Sequence, residues 1–146
     1  MTPHTLLLWA ALLPSADIPV ADPSAKDLAK MQGDWMVVST TIDGSKLPDE
    51  EAQTLFRTVN GNAYKIFRFS KPISRGTFKI DATKKPKTID STPAAPSKAG
   101  VVLGIYEFDG KTLKICNGRP GQPRPTQFGP KEGSNQTEVV WQPEKK

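Results

Sequence analysis

An all-β domain is what this sequence predicts, in the form of a small antiparallel up-and-down barrel of about eight strands with one or two short helices. Three observations predict it. Short segments rich in β-branched and aromatic residues alternate in polarity, as in Phe78 and Ile80 against Thr77 and Lys79, or Leu113 and Ile115 against Lys114. Alternation of this kind puts one face in a core and the other in water. Turn signals stand between the segments at hairpin spacing, Asn60-Gly61-Asn62 and Asp109-Gly110 among them, where Asn, Asp and Gly accept positive φ. Finally, 146 residues with 36% hydrophobic content, 14 Pro and 11 Gly suit one domain with a modest core and many turns. Closing such a meander removes the sheet edges, so the barrel is expected and a two-sheet sandwich is the competing form.

The elements follow in order. LLLWAALL, residues 6 to 13, lies in a stretch of 25 residues without Lys or Arg. It has the length of a signal-peptide apolar core and is too short to span a bilayer. Small residues follow at Ser15 and Ala16, so residues 1–16 are expected to be a signal peptide, 17–29 an extended leader and 30–143 the barrel domain. Leu28 and Met31 suit a single helical turn ended by Gly33. A strand is expected from Trp35 to Ile42, then a turn at residues 43 to 45. Pro48, Asp49, Glu50 and Glu51 read as the first turn of a short helix ending near Phe56. The segments FRTV, AYKIFRF, PISRGTFKI, PKTIDST, VVLGIYEF, KTLKICN and TEVVW supply the remaining strands. PGQPRPTQFGPKEGSN has too much Pro and Gly for regular structure.

The chemistry is bounded mainly by what the chain lacks. His4 is the only histidine, and signal cleavage would remove it. A chain without His has no imidazole base, no imidazole metal ligand and no His-activated nucleophile. Cys116 stands alone, so no intramolecular disulfide, CxxC pair or zinc site can form. It reads as a small strand residue. No cofactor, metal or catalytic residue is expected, and the protein is read as a non-enzyme. A carboxylate-based hydrolase would need a buried, converging pair of acids. Glu107 is expected to face solvent or a cross-strand Lys, and Asp81 and Asp90 to close turns.

Gly33-Asp34-Trp35, at the head of the first strand, has the G-x-W form of lipocalins. The wider pattern MQGDWMVVST, DGSKLP, GTFKIDATKKPKTID, GIYEFDGKTLKIC and PGQPRPTQF resembles a family of uncharacterised exported lipocalin-like proteins abundant in planctomycete-type bacteria, from about residue 30 to 142. The resemblance implies an exported barrel in which Gly33 and Trp35 are the structural signature. It also implies an arginine, Arg119 or Arg124, over the Trp35 ring. It supplies no catalytic residue.

Charge is unevenly spread within a net of +5. Residues 65 to 98 hold nine Lys and Arg against two Asp, and residues 17 to 64 hold four against eight acids. Lys84, Lys85 and Lys87, around Pro86, together with Arg119 and Arg124, are the candidate residues for an anionic ligand or surface. Tyr64, Phe67 and Phe69 alternate with Lys65 and Arg68, and are read as facing the barrel or packing on a hairpin. The functional expectation is an exported, monomeric binding module. Its ligand would be a small apolar, amphipathic or anionic molecule or an anionic polymer, with no nucleic acid and no membrane span. The alternative is a filled barrel acting through a basic surface at the cell envelope.

Overall fold

Asp22 opens the first helix with its side chain accepting a 3.0 Å bond from the Ser24 N–H, and Pro23 occupies the first helical turn. An aspartate cap satisfies an N–H that the helix leaves free, and proline there lacks the N–H that would be orphaned. These two residues turn what was expected to be extended leader into α1, Pro23–Lys30. The computed structural model describes residues 22 to 144. The expected signal segment, its histidine and leader residues 17 to 21 lie outside the described residues.

Nine strands follow: β1 (Gly33–Ile42), β2 (Ser45–Lys46), β3 (Leu55–Asn60), β4 (Ala63–Arg68), β5 (Lys71–Asp81), β6 (Lys87–Pro93), β7 (Val102–Asp109), β8 (Thr112–Asn117) and β9 (Thr137–Pro143). A single-turn helix, α2 (Asp49–Ala52), sits between β2 and β3. It stops short of the expected Phe56 because Leu55, Arg57 and Val59 begin a strict inward alternation there. Each strand pairs antiparallel with the next from β3 to β9, and β1 pairs with both β3 and β9. The result is a closed eight-stranded antiparallel barrel, with β2 a short flap on β1. It is the lipocalin-like form.

The interior is filled by Met31, Trp35, Val37, Leu55, Val59, Tyr64, Phe78, Ile89, Tyr106, Leu113, Ile115 and Trp141, with Ala52 from α2. A register shift between Val37 and Ser39 lets Thr40 take the inward place after Val37. That is how a bulge re-aims a side chain. β7 is buried on both faces at Gly104, Ile105 and Tyr106. The Pro-rich segment after β8 runs beside its outer face, where Gly118 N–H donates to Leu103 O and Pro125 is fully buried.

Helix α1 closes one end. The Trp35 indole N–H donates to Met31 O at 2.8 Å. Gln32 donates to Leu28 O and Gly61 O and accepts from Gly61 N–H, which ties the helix to the β3–β4 turn. Ser24 Oγ accepts from Ala82 N–H at the β5–β6 turn. Trp35 is buried as expected, but no arginine lies over its ring. Arg124 is held at Gly104 O and Arg119 is exposed. The other end is the mouth, bounded by the β1–β2 turn, α2, the β4–β5 turn and the segments 94–101 and 118–136.

Candidate functional site: the mouth half of the barrel

Inward positions counted from the mouth change in character. The second such residue is Thr40 on β1, Arg57 on β3, Ser91 on β6 and Gly104 on β7, and β8 ends at the mouth with Asn117. Thr40, Arg57 and Ser91 are all buried. A side chain at Gly104 would collide with the Asn117 amide, which lies across it. Polar residues thus take this level on β1, β3 and β6, while Ile66 on β4, paired with Arg57, and Val139 on β9, paired with Thr40, keep the rest of it apolar.

Arg57 is the outstanding member. It is 5% exposed, and its Nε has no hydrogen-bond partner. None of the three ion pairs among the described residues involves it. Its guanidinium carbon lies 5.0 Å from the Tyr64 ring centroid and 5.4 Å from that of Phe78. Ring faces attract a cation, by about 0.5–2 kcal/mol, but offer no lone pairs to five N–H donors. Burial pulls the Arg57 pKa down to about 10, partly opposed by Tyr64. The group therefore stays charged at neutral pH. Thr40 Oγ1 and Asn117 Oδ1 are also buried without partners. Buried polar groups usually find partners, so these three atoms are what makes the interior a candidate site.

The residues expected at a site fall elsewhere and do not converge. Lys84 and Lys85 are exposed in the β5–β6 turn at the α1 end. Lys87 Nζ lies 2.8 Å from Asp27 Oδ2, and the same oxygen accepts from the Tyr106 hydroxyl at 2.8 Å. This links α1 to the barrel wall. Burial, and then the bond to Asp27, push the Tyr106 pKa far up, so the phenol stays a donor. Arg124 Nη1 donates to Gly104 O at 2.7 Å and lies 2.6 Å from Asp90 Oδ1, outside hydrogen-bond geometry. Arg119 is exposed in the segment after β8. A groove of about 610 Å³ beside Lys79, Lys84, Lys85 and Arg124 also carries Asp81 and Asp90, so its charge is mixed. Asp81 accepts from Thr83 N–H and Oγ1–H, and these bonds hold its carboxyl below the usual range. Glu107 pairs across the strands with Lys114 at 3.4 Å.

Sequence reasoning missed Arg57. Its signal was present in the phase: Leu55, Arg57 and Val59 share one face, so a cation stands where the alternation demands an apolar residue. Phe69 also departs from expectation. β4 ends at Arg68, so Phe69 enters the turn and is 72% exposed instead of packed.

The fold is a closed lipocalin-like barrel with one buried, unpaired cation, Arg57, among its inward residues. Compared with protein-family models, with curated proteins and with solved structures, the chain matches none of them.

Proposed function

We propose that the protein is a small-ligand binding module that takes an amphipathic molecule with an anionic head, carboxylate or phosphate. The head pairs with Arg57 and the tail points toward the mouth. One observation carries this reading: a guanidinium buried in the barrel without an anion. Removing a cation from water costs several kcal/mol unless a counter-charge and hydrogen bonds offset it. A bound carboxylate would supply charge-assisted bonds to that fork. The apolar plug toward α1 favours a head-inward pose, since it leaves the tail only the mouth.

Calorimetric titration with decanoate, decyl phosphate and decanol tests it. The two anions should bind at least about tenfold more tightly than the alcohol, since a charged hydrogen bond contributes about 1.5–3 kcal/mol. Arg57→Met should erase that preference. Equal affinity for the three probes, or a preference that survives Arg57→Met, would exclude the reading. A second reading, a filled barrel acting through its surface, draws on the packed α1 half. It expects none of the probes to bind.

A further inference from the structure

Between Glu51 and Asp81 the chain holds no acidic residue, while it holds Arg57, Lys65, Arg68, Lys71, Arg75 and Lys79. Arg57 points inward; Lys65, Arg75 and Lys79 are exposed on the outer wall of β4 and β5, and Arg68 and Lys71 are exposed at the hairpin tip, on the rim of the mouth. None of the five joins an ion pair among the described residues. In this they differ from Lys87 and Arg124, which face carboxylates. The wall is therefore a cationic surface with no internal counter-charge, and opposite charge on a partner is its natural complement.

Two apolar side chains stand on the same wall. Phe69 and Ser70 form the β4–β5 turn, both at positive φ, 49° and 63°. Two-residue hairpin turns of this kind ordinarily use Asn and Gly, and a bulky side chain there is strained. The strain leaves Phe69 projecting from the hairpin tip between Arg68 and Lys71. Ile73 is 52% exposed at the register shift between Ile66 and Phe67 in the β4–β5 pairing. A groove of about 820 Å³, lined in part by Lys65, Phe67, Pro72, Ile73 and Arg75, continues this surface down the wall. Cations alone would suit any polyanion. An exposed aromatic at a turn flanked by cations, with a second apolar residue behind it, suits an interface that is charged outside and oily just below.

We propose that the β4–β5 hairpin docks on an anionic lipid surface, with Phe69 and Ile73 in the headgroup boundary and Lys65, Arg68, Lys71 and Arg75 against the lipid phosphates. The hairpin tip lies at the barrel mouth, so docking holds the mouth against the membrane. The inference does not depend on the interior site. It involves no spanning segment, and among the described residues no helix is long and apolar enough to cross a membrane.

Flotation with phosphatidylcholine vesicles, with and without one-third phosphatidylglycerol, tests it on the whole protein at low salt. Binding should require phosphatidylglycerol and fall as salt is added. The double change Arg68→Gln and Lys71→Gln should weaken partitioning roughly thirtyfold, from two lost cations near an anionic surface. Phe69→Ser, at a side chain that is 72% exposed, should weaken it roughly tenfold. The charge-matched change of Lys84→Gln with Lys85→Gln, at the far end, should weaken it much less. Three outcomes would overturn the proposal: no binding to the anionic vesicles, full binding after Phe69→Ser, or equal loss from the far-end lysines. Retention on heparin by a protein that ignores the vesicles would mark the wall as a polysaccharide site instead.

Discussion

At the α1 end of the barrel the buried polar groups are paired: Asp27 with Lys87 and Tyr106, and the Trp35 indole with Met31. In the mouth half Thr40 Oγ1, Arg57 Nε and Asn117 Oδ1 have no partner. Both halves belong to one sheet and share the same alternation, so fold alone does not account for the contrast. The paired end closes the barrel and fastens the helix. The unpaired half keeps hydrogen-bonding capacity that the folded chain itself does not use, and unused capacity in a dry interior is what a ligand would satisfy. Paired and unpaired polar groups are thus segregated along the barrel axis.

Substitutions at the two ends should differ in size and in sign. The largest loss is expected from Trp35→Ala, about 3–5 kcal/mol in urea unfolding, for a buried aromatic that is also a hydrogen-bond donor. A loss under about 1 kcal/mol would remove Trp35 as the anchor of the closed end. Asp27→Ala should cost about 2 kcal/mol because it leaves the Tyr106 hydroxyl buried and unpaired. Lys87→Met should cost less than half of that, since the Lys87 side chain is 39% exposed and water can replace its partner. Equal losses at Asp27 and Lys87 would mean that the ion pair, and not the buried hydroxyl, fastens the helix. At the mouth, Thr40→Val should be neutral or stabilising within about 1 kcal/mol, because it removes a hydroxyl that has no partner. A clear destabilisation would place an ordered water or an unseen acceptor at Thr40.

The smallest effect concerns Cys116, on the outer face beside the Pro-rich segment. Burial first, and then Glu138, push its thiol up to about 11. Its folded pKa is raised, so its contribution to stability is present below about 9 and is lost as pH rises toward about 11. At pH 8 it should react with a disulfide reagent about a hundredfold more slowly in the folded protein than in urea. Equal rates would mean that the segment after β8 does not cover the strand.

Much of the architecture was legible because it is written in neighbours. Alternation and β-branched or aromatic content placed eight of the nine strands, and Asn-Gly and Asp-Gly placed the β3–β4 and β7–β8 turns. The α1 helix was less legible, since its start depends on a cap and a proline inside a segment whose composition reads as extended. The fate of the KKPK lysines was not legible at all. Lys87 finds Asp27 60 residues away, and no local pattern announces that pairing. Arg124 is likewise spoken for by Asp90 and Gly104, across the fold. Basic residues were therefore visible as a composition, but which of them remain unpaired is a property of the closed barrel. Arg57 lay between these cases. Its phase could be read from Leu55 and Val59, whereas the absence of a carboxylate near it could not.

The central claim is that Arg57 is kept for a ligand and not for the fold, and the urea midpoint of ligand-free Arg57→Met tests it most directly. Met fills a similar volume without the charge. If the guanidinium serves a ligand, removing an unpaired buried cation should leave stability unchanged or raise it by about 1–4 kcal/mol. A loss of more than about 2 kcal/mol would instead mean that its stacking on Tyr64 and Phe78 holds the barrel together, and would contradict the assignment of the mouth half as a site.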